Sequence, residues 1–110
     1  MAGFSAQLEN VVVANAGTDS RAVDTALECA DATGIYIEAP ATLAETPTIQ
    51  TSCDGTTWVT LNNGTSDVAP PLAGKGCVYD NLVAPYWRIH FAGAAAAERI
   101  FKVRKIYNAY

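Results

Sequence analysis

Histidine and methionine occur once each in 110 residues, tryptophan twice and cysteine three times, and only 16% of side chains are charged. Each scarcity removes a class of function. With His90 as the single histidine and no C-x-x-C pair, Cys/His grouping or calcium-loop pattern, no metal ion is expected. No glycine-rich phosphate cradle or dinucleotide fingerprint occurs, so no cofactor is expected either. Cys29, Cys53 and Cys77 make an odd count, which excludes a fully disulfide-paired monomer and suits reduced, partly buried thiols. No window approaches the roughly 20 apolar residues of a membrane-spanning helix, and Met1-Ala2-Gly3-Phe4 lacks the basic start and apolar centre of a secretory signal. The expectation is a soluble chain made in the cytoplasm.

Basic residues are also few, and they are unevenly placed. Residues 1–85 carry ten acidic and two basic side chains, whereas residues 86–110 carry one acidic and five basic. A net charge of −4 argues against a general nucleic-acid binder. The asymmetry either balances neighbouring strands within one molecule or lets the acidic part of one copy meet the basic edge of another. The basic concentration is Arg88, Arg99, Lys102, Arg104 and Lys105, which we take as candidate partner-binding residues for an acidic surface.

What the chain does have is strand chemistry. Residues 46–61, TPTIQTSCDGTTWVTL, set two β-rich runs around an Asp54-Gly55 pair. That is a hairpin signal, because Gly55 can take positive φ and Asp54 can hydrogen-bond nearby backbone. Trp58 is expected to face the interior. Residues 8–14, with three consecutive valines, read as a first strand after a short leader at 1–5. Residues 22–29 alternate imperfectly and fit a strand better than a helical turn. Ile35, Ile37 and Ala39 share one face of a strand that Pro40 ends. Brief helical turns are conceivable at 41–46 and 94–97.

Residues 62–76 are the longest irregular stretch, of the kind that is functional or mobile. Their Asn63-Gly64-Thr65 acceptor pattern carries little weight without a secretory route. A short strand follows at 77–82. Trp87, Ile89 and Phe91 lie on one face of residues 86–91 and Tyr86, Arg88 and His90 on the other. Residues 99–107 form the closing strand, with Ile106 out of parity and a bulge expected near Arg104 and Lys105. The tail at 108–110 has no evident anchor. Together these make one domain over residues 1–110, an all-β chain folded as an antiparallel β-sandwich of seven or eight short strands.

Reaction chemistry has little support. A hydrolytic triad needs a nucleophile and a carboxylate beside His90, and none of the cysteines lies in a catalytic signature. A surface histidine paired across the sheet is the expectation. Glu38 with Asp54, or Asp67 with Asp80, are carboxylate pairs on paper, but turn-forming roles explain the aspartates. Tyr36, Trp58, Tyr79, Tyr86, Trp87, Tyr107 and Tyr110 supply enough aromatic surface for a sugar platform, although core positions are expected for both tryptophans. No enzyme is expected.

Residues 49–58, I-Q-T-S-C-D-G-T-T-W, resemble the I-Q-x-S-x-D-G-x-x-W hairpin of discoidin-like sandwiches and of small structural proteins of tailed bacteriophages. The surrounding frame over 34–107 is similar to the phage proteins: G-I-Y-I-E-A-P before the hairpin, then Y-W-R-I-H-F and a basic closing strand. The resemblance implies a jelly-roll or discoidin-like sandwich acting as a virion component. The expected role is a capsid cement or decoration protein, made in the host cytoplasm, that binds between major capsid subunits, with further copies of itself on the particle. The alternative is a carbohydrate-binding module of a tail or adhesion apparatus. The cysteine pair that closes discoidin domains at their ends is missing here.

Overall fold

The structure, a computed structural model, describes residues 4–7, 10–29, 32–79 and 84–107. Expectations at 1–3, 8–9, 30–31, 80–83 and 108–110 lie outside the described residues. Among the described residues, nine strands and one helical turn follow in chain order: β1 Phe4–Gln7, β2 Val11–Val13, β3 Val23–Asp24, α1 Thr25–Glu28, β4 Gly34–Glu38, β5 Pro47–Ser52, β6 Val59–Thr60, β7 Gly76–Tyr79, β8 Tyr86–Phe91 and β9 Arg99–Tyr107.

One sheet runs β1-β9-β4-β7 with β2 also on β9, and the other runs β3-β8-β5-β6; every pairing is antiparallel. Because β1 and β2 succeed one another along β9, the described strands fill eight positions, four to a sheet. This is the all-β sandwich that the alternating pattern required.

Alternation decides which side chains go inside. Val11 and Val13 of β2, Ile35 and Ile37 of β4, Ile49 of β5, Trp87, Ile89 and Phe91 of β8 and Phe101 and Val103 of β9 are all buried. They come from both sheets, so the core is the filling between two pleated faces. Phe91 and Phe101 meet across it with ring centroids 6.2 Å apart and planes tilted by 53°, an arrangement that suits the quadrupoles of two aromatic rings.

Several expectations are corrected. The bulge is not in β9, because β4 pairs with it from Gly34↔Ile106 to Glu38↔Lys102 without a slip. On its other side β9 pairs Gln7↔Arg104 and Val11↔Phe101, three steps of β9 against four in residue number. Within the leader, Phe4 and Ser5 belong to β1. Residues 22–29 are strand only at Val23–Asp24 and then turn helical. Asp24 caps that turn by accepting from Leu27 N at 3.1 Å, while Glu28 accepts from Asp24 N at 2.9 Å, so reciprocal capping outweighed strand propensity. Residues 41–46 and 94–97 hold no helix. The 62–76 stretch is stitched to itself: Asn63 Oδ1 accepts from Thr65 N and Ser66 N, both at 3.0 Å, and Val68 N donates to Leu61 O at 2.9 Å.

Candidate functional site

The hairpin turn is built by two side chains. Ser52 Oγ accepts from Gly55 N at 2.8 Å and donates to Asp54 Oδ1 at 2.9 Å, and Asp54 Oδ1 accepts from Thr56 N and Thr57 N, each at 2.9 Å. The Thr57 and Thr56 N–H groups hold the Asp54 carboxyl well below the usual carboxylate range, since donors that favour the charged form oppose protonation. Gly55 sits at φ +81° against the Tyr86 ring. Gly55→Ala is therefore expected to lower stability by about 1 kcal/mol through left-handed backbone strain, read as a lower denaturant midpoint at unchanged slope.

This locked turn delivers Trp58 to the outer face of the second sheet, and here the interior expectation fails. Trp87 is fully buried. Trp58 is only half-buried, and the Arg88 guanidinium carbon lies 4.3 Å from its ring centroid. The physical reason is register: Val59 pairs with Thr51 and shares its side of the sheet, although at this edge Val59 itself stays 60% exposed, so Trp58, one position earlier, falls on the opposite side with Gln50 and Arg88.

Around Arg88 a polar row has formed. Arg88 Nε donates to Gln50 Oε1 at 2.9 Å, its terminal nitrogen lies 3.5 Å from Asp19 Oδ1, and Asp19 Oδ1 is 2.5 Å from His90 Nδ1. The chain around Asp19 is fixed to β8 by backbone, with Ser20 N donating to Ile89 O and Phe91 N to Thr18 O. His90 thus pairs across strands, with an acid 71 positions away in sequence. The Gln50 amide nitrogen and His90 Nε2 make no hydrogen bond to the described residues. Trp58, Arg88, Gln50 and His90 consequently present one ring face and unspent polar atoms on a single surface. Asp19 carries no sequence signal, whereas the alternation of Thr48 and Gln50 with buried Ile49 and Thr51 is a signal that could have found Gln50.

The five candidate basic residues do not make one patch. Arg88 belongs to the second sheet. Arg99 is buried, with Nε donating to Glu45 Oε1 at 2.7 Å and a terminal nitrogen to Thr42 O at 3.2 Å. Lys105 follows the inward parity of Phe101 and Val103 and lies near enough to Cys29 to act on its thiol. Only Lys102 and Arg104 share an exposed face, on the outside of the first sheet. Strand parity separates 102 and 104 from 99 and 105, and the sequence shows this only once β9 is known to run unbroken.

The carboxylate pairs also part. Glu38 lies on β4, where it accepts from Tyr36 Oη at 3.0 Å; Asp54 belongs to the turn; Asp67 accepts from the Asn62 amide at 3.0 Å. Asp80 lies outside the described residues. Burial, followed by the Glu28 charge, pushes the Cys29 thiol up, while Cys53 is exposed and Cys77 half-buried, all three free. A cleft of about 240 Å³ lies between the hairpin turn and Pro85, lined by Thr51, Cys53, Asp54, Val59 and Ala84. Among the described residues no group of three His, Cys, Asp or Glu side chains is placed to hold a metal ion, and no helix is long and apolar enough to cross a membrane. Comparison of the chain with protein-family models, curated proteins and solved structures finds no match.

Proposed function

We propose that this chain is a non-enzymatic virion structural protein of a tailed bacteriophage, of the capsid cement or decoration type, that docks between major capsid subunits and stiffens the shell. The observation that carries the reading is the outer face of the first sheet. Exposed Val78 and Ile100 stand there with Tyr36, Lys102 and Arg104, and with Glu38 opposite Lys102, on strands β4, β7 and β9 whose opposite faces fill the core. An apolar surface set with cations on a rigid backing suits an acidic, partly apolar protein partner. The hairpin resemblance supplies the virion context. On a symmetric lattice many copies bind together, so a modest contact per copy is sufficient.

The test adds purified protein to particles lacking it and follows binding and heat resistance. Binding with raised resistance is expected, and Lys102→Glu with Arg104→Glu should weaken binding by at least about tenfold. Unchanged resistance with no binding overturns the proposal.

A second reading, a carbohydrate-binding module, is favoured by Trp58. Its indole is outside the core, flanked by planar polar side chains of the kind that pair with sugar hydroxyls. Titration with host polysaccharide should then change tryptophan fluorescence, and Trp58→Phe should abolish the change because Trp87 is fully buried. No response in the native chain removes this reading.

A further inference from the structure

We infer that strand β7 pairs antiparallel with β7 of a second copy, in the register that places Cys77 opposite Cys77 on the two-fold axis. The inference rests on the geometry of this edge and not on the virion reading, since two free chains in solution suffice for it.

The edge is defined by hydrogen-bond parity. Ala39 N donates to Lys75 O at 3.0 Å, in the same register that pairs Ile37 with Cys77 and Ile35 with Tyr79. Antiparallel ladders alternate, so Cys77 and Tyr79 spend their backbone groups on β4, and Gly76 and Val78 aim theirs at the open side. Both are exposed, and among the described residues β7 is the terminal strand of its sheet on the side away from β1 and β2. The edges of the other sheet, β3 and β6, are two residues long each, a length that limits pairing, while β7 has four residues and neither proline nor bulge.

A second β7 can satisfy those groups only if Gly76 and Val78 of each copy face Gly76 and Val78 of the other. The register Gly76↔Val78 in both directions uses all of them within the strand and makes four hydrogen bonds. Side chains agree with it. The Tyr36 ring lies over Gly76, where a Cβ would collide with it, and its hydroxyl is tied to Glu38. Val78 of the second copy, coming opposite Gly76, packs on the wall that this ring makes, and the symmetric contact repeats it.

One four-residue edge covers far less than the roughly 800 Å² per partner of a stable interface. The free dimer is therefore weak, and covalent capture is the suitable readout. On the axis the two Cys77 residues form a non-hydrogen-bonded pair with Cα atoms about 4.5 Å apart, within disulfide range. Diamide accepts the two hydrogens as the two thiols close to a disulfide.

The native chain is treated with diamide at rising concentration and the bridged peptides are mapped by mass spectrometry. A Cys77–Cys77 dimer whose yield rises with concentration is expected; Cys77→Ser should abolish it, and Val78→Lys, with circular dichroism unchanged, should slow it by at least about tenfold. Dimers bridged through Cys53 instead, a Cys77 bridge indifferent to Val78→Lys, or no dimer at millimolar concentration would each overturn the inference. The first two outcomes leave the capsid proposal untouched, because that is judged on particles.

Discussion

Phe101→Ala is expected to be the most damaging single change, lowering stability by about 3–5 kcal/mol. Phe101 is fully buried on β9, the strand that pairs with β1, β2 and β4, and its ring meets Phe91 of the opposite sheet. Truncation removes apolar burial, opens a cavity and breaks an aromatic contact between the sheets; side chains anchored in two ladders can relax only slightly into the gap. A domain of this size holds about 5–15 kcal/mol in total, so the variant should melt roughly 15 °C or more below the native chain. Phe101→Leu, which keeps most of the volume, should cost clearly less, and Lys102→Ala one position along, on the solvent side, should change stability by less than about 0.5 kcal/mol. Equal losses at 101 and 102 in urea melts would mean that β9 does not alternate between core and solvent.

The second large effect is acid sensitivity centred on the Arg99–Glu45 pair. Both side chains are less than a tenth exposed. Arg99 first, then the Ala96 N–H at 2.9 Å, hold the Glu45 carboxyl down from 4.5 to about 2. A carboxyl whose pKa falls on folding contributes stability that is complete above its unfolded pKa and is lost as pH drops toward the folded one. The loss is expected from about pH 4.5 down to about pH 2. Asp54, lowered by the turn amides, acts in the same direction.

Denaturant melts near pH 7 and about pH 3 should show the native chain losing stability, and Arg99→Met should flatten that dependence while being less stable at neutral pH, where it strands a buried carboxylate. An undiminished acid slope in Arg99→Met would show that the pair is not its source.

The residues legible in advance were those whose neighbours in sequence decide them. Tyr86–Phe91 and Arg99–Tyr107 have the bounds that their alternation set, and Ser52, Asp54 and Gly55 turn the chain as their chemistry demands. Capping at Asp24 and Glu28 was legible in principle but was overridden by the β-rich look of the run. Trp58 was misplaced because its side depends on the register of Val59 against Thr51, a pairing that hairpin chemistry alone does not count out. Arg99 reads as one more surface cation until Glu45, 54 residues earlier, arrives beside it.

The order of residues alone settled that this chain makes short strands, reverses at Asp54-Gly55 and layers its large apolar side chains in a sandwich, because period-two burial and turn propensity act over a few residues. Only the tertiary structure decided which charges are neutralised inside, which indole faces out and which of the described strands lie at the sheet edges. Those outcomes depend on pairings between segments tens of residues apart, where a shift of one position carries every side chain to the opposite face.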